Sequence, residues 1–78
     1  MELRHLRYFL AVADRGSITR GAAAVRIAQP SLSRQLRQLE AEVGEALFDR
    51  STGRARLTAA GEVFLPLARD LVGRADQA

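Results

Sequence analysis

Ile18-Thr19-Arg20-Gly21-Ala22-Ala23-Ala24-Val25-Arg26-Ile27-Ala28-Gln29-Pro30-Ser31-Leu32-Ser33-Arg34-Gln35-Leu36-Arg37 decides the fold. Its first part, from Ile18, reads as a short helix whose Gly21, Ala22, Ala23 and Ala24 let another backbone approach closely. The pattern gives way near Arg26, and Ile27 reads as an apolar plug in a turn. Gln29 and Pro30 then open a second helix, where proline is tolerated because its missing N–H would be unpaired in any case. Leu32, Leu36, Leu39 and Val43 fall within about 60° of one another on a helical wheel and mark the inward face, and Gly44 ends the helix. Ala22, Val25, Ile27 and Leu32 have the spacing of a helix-turn-helix. A small residue stands where the helices cross, with one apolar residue before the turn, one within it and one inside the following helix.

Upstream, Leu3, Leu6, Phe9, Leu10 and Ala13 share an arc of roughly 120°, the buried face of a helix from residue 3 to about 14. Gly16 supplies its left-handed stop, and Ser17 offers the side-chain oxygen that the next helix needs at its N-cap. Downstream, Leu47 to Arg50 and Ala55 to Leu57 read as two short strands around the turn Ser51-Thr52-Gly53. Thr58 caps a last helix that runs to the end of the chain, with Glu62 in its first turn and a kink expected at Pro66. The order is helix, helix, helix, hairpin, helix, without repeat or linker.

Charge is segregated along these elements. All 12 basic residues are arginine. Residues 15–37 carry five of them and no acid, residues 38–49 carry four acids and no base, and residues 50–61 carry three arginines and no acid. Two basic blocks around an acidic one suit a polyanion partner better than an evenly solvated surface. At 78 residues the chain is one small domain, and with no cysteine and a single histidine it holds no disulfide, thiolate or multi-histidine metal site. No apolar run approaches a membrane span, and the polar start Met1 to Arg7 does not read as a secretion signal, so no membrane association and a cytoplasmic location are expected. A catalytic centre is not expected either: there is no nucleophile with a base, no acid/base pair and no lysine for a phosphate loop. No cofactor is called for.

The outward side of the helix from Gln29 carries Pro30, Arg34 and Arg37 opposite the leucines, with Ser33 on the flank and Gln29 and Ser31 at the tip. Such an end, with unpaired N–H groups and no acid before Glu40, suits entry into a DNA major groove, where glutamine reads adenine and arginine reads guanine. Gln29, Ser31 and Ser33 are also ordinary helix-start residues, and Arg37 is placed to pair with Glu40 at i, i+3. An RNA-binding arginine-rich helical module and a protein-interaction module are the competing classes. The first needs exposed aromatics for base stacking, whereas Phe9, Phe48 and Phe64 all fall at apolar positions. The second leaves the acid-free block 15–37 without purpose.

Ala28-Gln29-Pro30-Ser31-Leu32-Ser33-Arg34-Gln35-Leu36, then Leu39-Glu40, Gly44, Leu47-Phe48-Asp49-Arg50 and Leu57-Thr58-Ala59-Ala60-Gly61 resemble the amino-terminal domain of LysR-type transcriptional regulators. The resemblance covers essentially the whole chain. It implies a mainly α fold, a winged helix-turn-helix of three helices and a short β-hairpin wing, followed by a long dimerisation helix. Residues 1–58 would form the DNA-binding domain, with the helix-turn-helix at 18–37 and the wing at 47–57, and residues 59–78 the linker helix. The implied partners are double-stranded DNA and a second copy, or a tetramer in the full-length protein. A small-molecule effector would act only through a larger domain absent from this chain, which reads as a fragment. Gly21 and Ala28 depart from the family's usual alanine and serine, at an expected cost of up to about 1 kcal/mol each in helix propensity and capping.

The residues expected at DNA are therefore Gln29, Pro30, Ser31, Ser33, Arg34 and Arg37, with Arg54 beside the wing turn. Arg50 and Arg56 are placed either to reach a groove or to pair with Glu40 or Glu42. Ser51 and Thr52 serve either as phosphate donors or as turn formers. The last helix carries more apolar surface than its own domain needs. Folding back absorbs Val63, Phe64 and Leu67 but hardly the rest, so Val63, Phe64, Leu67 and Leu71 are expected at a dimer contact. His5 is expected at the surface, and Tyr8 in packing or at a rim.

Overall fold

A computed structural model describes residues 1–51 and 54–78. Six elements follow in order: α1 (Leu3–Arg15), α2 (Ile18–Val25), α3 (Gln29–Val43), β1 (Phe48–Asp49), β2 (Arg56–Leu57) and α4 (Ala59–Gln77). The expected turn at Gly53, and the role weighed for Thr52, lie outside the described residues.

The boundaries are set by local chemistry. Gly16 takes the left-handed conformation at φ 64° and returns its N–H to Val12 O at 2.8 Å, closing α1. Ser17 Oγ then accepts the Arg20 N–H at 3.1 Å and opens α2. Arg26, at φ 61°, ends α2, and among the described residues it is the one non-glycine at positive φ. The next N–H, that of Ile27, returns to Ala22 O at 3.1 Å. Ala28 precedes α3 without a side-chain cap, as its methyl group dictates, and Gly44 at φ 92° ends that helix. Helix α4 passes through Pro66 as a single element.

The strands pair antiparallel, Phe48 with Leu57 and Asp49 with Arg56, and are shorter than the sequence suggests. Their flanks spend hydrogen bonds elsewhere. Leu47 N–H donates to Glu40 Oε2, and Ala55 N–H donates to Gly16 O at 3.3 Å, which ties the hairpin to the α1–α2 turn. Thr58 joins the hairpin to α4: its hydroxyl donates to Ala46 O at 2.6 Å and accepts the Gly61 N–H at 3.0 Å.

One core serves all four helices. Phe9, Val12, Leu32, Leu36, Leu39 and Leu47 are essentially inaccessible. The Phe9 ring lies 5.2 Å from that of Phe48 and meets Phe64 edge-on at 5.0 Å, so the aromatics join α1, the hairpin and α4. Tyr8 packs at the margin of this cluster. Helix α4 runs along α1, fastened by Arg69–Asp14 at 2.6 Å and Arg7–Asp76 at 2.7 Å.

Two expectations are corrected. His5 is not at the surface: it is 2% exposed, and its Nδ1 accepts the Glu2 N–H at 3.2 Å, capping the start of α1. Gly21 is not a weakness in α2. A Cβ there would stand 2.6 Å from Val12 Cγ2 and 3.1 Å from the Val12 backbone, so the close approach of α1 requires glycine.

Candidate nucleic-acid interface

The leucines of α3 fix what its other face presents. With Leu32, Leu36 and Leu39 at the core, Gln29, Pro30, Arg34 and Arg37 are exposed, and Ser31 and Ser33 are half-buried on the flanks. Because Ala28 has no capping side chain, the first N–H groups of α3 are open to an external acceptor.

Gln29, Ser33 and Arg37 share a cleft of about 260 Å³ with Arg54 and Arg50 of the hairpin. Its remaining wall comes from Ser17, Ile18 and Thr19 at the start of α2, and from Ala55. The cleft brings together four of the seven residues expected at DNA. Pro30, Ser31 and Arg34 lie outside it, on the same tip of α3. Ser17 and Thr19 join the site beyond sequence expectation, and Arg50, weighed between a groove and an internal pair, both lines the cleft and pairs with Glu40. Ser17 reads from sequence only as a cap, and Thr19 carries no signal of its own.

The charges around this surface follow a division of labour. Arg7, Arg50, Arg69 and Arg74 each hold a carboxylate, whereas Arg4, Arg15, Arg20, Arg26, Arg34, Arg37, Arg54 and Arg56 have no ion-pair partner among the described residues. The alternative pairing of Arg37 with Glu40 does not occur. Glu40 is buried, with Oε2 accepting the N–H groups of Leu47 and Phe48 at 2.6 and 3.1 Å, and Oε1 accepting from Arg50 at 3.1 Å. Of the two pairings open to Arg50 and Arg56, Arg50 takes Glu40, while Glu42 is held by the Met1 ammonium at 2.8 Å. Asp49 is engaged by the Ser51 hydroxyl and N–H at 2.7 and 2.9 Å, which together hold its carboxyl below the usual range. Three of the four acids in the block, Glu40, Glu42 and Asp49, are thus engaged within the fold.

A second surface lies along α4. Val63, Leu67 and Leu71 are 69%, 57% and 50% exposed, and they recur at helical spacing on one stripe. Of the three residues expected to be absorbed by folding back, only Phe64 is, through Phe9. It still lines an apolar groove with Val43, Ala60, Val63 and Leu67. Leu65 and Val72 pack against the chain's own core. Among the described residues no group of three or more His, Cys, Asp or Glu is arranged to hold a metal, and no helix is long and apolar enough to cross a membrane.

Comparison with known proteins follows the same outline. The family model for bacterial regulatory helix-turn-helix proteins of the lysR family matches residues 3–62. The HTH-type transcriptional regulator BudR of Klebsiella aerogenes is 50% identical over 78 residues, covering 100% of this chain and 54% of BudR. The chain therefore spans about half of that relative's length. The crystal structure of the CbnR_DBD-DNA complex superposes with a TM-score of 0.94 at 42% identity, covering 99% of this chain and 88% of that one. The BenM_DBD/catB site 1 DNA complex gives a TM-score of 0.94 at 45% identity, with 99% and 86% covered. The three-helix and hairpin layout is a winged helix-turn-helix, and the chain belongs to the lysR family of bacterial regulatory helix-turn-helix proteins.

Proposed function

We propose that this chain reads double-stranded DNA sequence-specifically, as the DNA-binding part of a LysR-type transcriptional regulator in the bacterial cytoplasm. Residues 1–58 form the reading domain, with the helix-turn-helix at 18–37 and the wing at 47–57. Gln29, Pro30, Ser31, Ser33 and Arg34 meet base edges or the adjoining backbone in a major groove, Arg37 meets phosphate, and Arg54 reaches from the wing. Residues 59–78 join two copies through Val63, Leu67, Leu71 and the open edge of Phe64, so that the pair reads a palindromic-type operator. Any small-molecule effector acts through a domain outside this chain.

The observation that carries this reading is the cleft that gathers Gln29, Ser33 and Arg37 of α3 with Arg50 and Arg54 of the hairpin and has no carboxylate in its lining. Duplex is favoured over single-stranded RNA because Phe9 and Phe48 are buried and Phe64 is half-buried, so no aromatic platform is presented for stacking. The experiment is selection of binding sites from random duplex DNA, followed by salt titration of the selected site. Two symmetric half-sites and a log–log salt slope near about −7, for about four basic contacts per copy, are expected. Recovery of no preferred duplex, or a flat salt titration, overturns the reading.

A further inference from the structure

Resting on the duplex and dimer reading above, we propose that the ion pairs Arg7–Asp76 and Arg69–Asp14 set the angle between α4 and the reading domain, and with it the half-site spacing that two joined chains accept. The four residues lie outside the cleft and outside α3, so they determine specificity without meeting a base. Both pairs join α4 to α1, at 2.7 and 2.6 Å. They stand one heptad apart on each helix, Arg7 to Asp14 on α1 and Arg69 to Asp76 on α4, with the two helices antiparallel. Each helix contributes one cation and one anion, so the charge order admits a single register. A slip of one heptad sets Arg7 against Arg69 in one direction and Asp14 against Asp76 in the other.

The angle needs setting because of Pro66. Proline has no N–H to return to the Glu62 carbonyl, so α4 lacks one backbone bond at that turn and is soft to bending there. Before the proline, the helix is anchored by the Thr58 hydroxyl and by Phe64 against Phe9. Beyond it, Ala68 is fully buried and Val72 packs at the core margin, while Arg69 and Asp76 fasten this outer half near its two ends. The exposed stripe crosses the proline, with Val63 before it and Leu67 and Leu71 after it. A bend of about 20° carried over about 16 Å of helix moves its end by about 5 Å, more than the roughly 3.4 Å rise of one base pair. A second copy that grips Leu67 and Leu71 transmits such a bend directly into the distance between reading heads. Each exposed pair adds little to stability, but little is needed to hold an angle that the backbone leaves soft.

The test uses duplexes with two copies of the selected half-site, their separation varied one base pair at a time, and an isolated half-site as reference. The wild-type chain is expected to bind its best separation about tenfold more tightly than one about two base pairs away. Asp76→Arg sets two guanidinium groups against each other, and that preference falls to about threefold or less, while the order of preference among isolated half-sites is unchanged. Arg7→Asp in the same chain restores opposite charges in reversed order and returns the preference. Pro66→Ala in the Asp76→Arg background also returns it, by restoring the backbone bond. Asp14→Asn, on the second pair, lowers the preference in the same sense and provides the test if Asp76→Arg melts early. A wild-type separation profile in the folded variants, or a double exchange that fails to regain the preference, overturns the assignment. So does sedimentation of Asp76→Arg as a monomer, which places the pair in the dimer contact instead. Failure of the underlying reading is distinct: the wild-type chain then shows no preferred half-site, or a profile flat in separation.

Discussion

Glu40 and Arg50 meet where the end of α3 passes the start of the hairpin, the carboxylate accepting one guanidinium bond and two backbone N–H bonds from Leu47 and Phe48. This single side chain satisfies the backbone where β1 begins. Glu40→Ala leaves those donors without an acceptor and is expected to lower unfolding stability by about 2 to 4 kcal/mol. Urea denaturation followed by far-UV circular dichroism measures it, and a loss below about 0.5 kcal/mol removes Glu40 from this role.

Two glycines are expected to respond unequally to alanine. At Gly21 the added methyl meets the stiff, buried Val12 side chain at 2.6 Å and its backbone at 3.1 Å, and helix propensity returns about 1 kcal/mol, so the net loss is about 2 kcal/mol. At Gly61 the methyl is driven into the Leu47 carbonyl, which belongs to the hairpin join and accepts the Thr58 N–H, so the loss is about 3 kcal/mol. Thermal melts of both variants order them, and Val12→Ala is expected to relieve Gly21→Ala alone.

Arg34→Ala is expected to weaken binding to a selected duplex by about 1 to 3 kcal/mol and to broaden the range of sequences accepted at one position per half-site. Quantitative footprinting on matched and mismatched duplexes checks it. A uniform loss across all sequences reassigns Arg34 to phosphate.

Leu71→Glu places a charge in the middle of the exposed stripe of α4, away from the core cluster. The variant is expected to sediment as a monomer at concentrations where the parent is dimeric, with an unchanged helical spectrum. A sedimentation coefficient equal to the parent's moves the contact off this face.

Acid is expected to loosen the far end of α4 first. The Arg7 guanidinium holds the Asp76 carboxyl below its ordinary value of 3.8, and the Met1 ammonium holds Glu42 below 4.5. Both groups bind protons more readily when unfolded. Their contribution is whole above those ordinary values and drains away as the pH falls through the lower folded ones. Both pairs are exposed, so the effect is small and salt-sensitive. Amide protection near residue 76, taken relative to the intrinsic exchange rate at each pH from 6 to about 2, is expected to fall more steeply in the wild type than in Arg7→Ala.

Periodicity carried much of this architecture into view. The leucine face of α3, the glycine stops and the threonine cap each depend on neighbours within a few positions, and each stands where its spacing puts it. What escaped the sequence depends on contacts between distant segments. His5 is polar in a helix start, and only the packed helices around it make that position interior. Gly21 reads as a propensity loss until α1 is laid against it. Glu40 reads as an acid open to Arg37, Arg50 or Arg56, and only the folded hairpin selects Arg50 and adds the two backbone donors of Leu47 and Phe48. Likewise the start of α2 enters the cleft because Ala55 is tied to Gly16, a connection with no local signature.

The two bonds of the Thr58 hydroxyl leave no slack between the hairpin and the helix that follows. A pair of chains joined along α4 then behaves as calipers with locked jaws rather than as two heads on strings. Such calipers demand rotational phase as well as distance. Inserting about five base pairs between half-sites carries one of them to the far side of the duplex, and rigid jaws have no way to follow it.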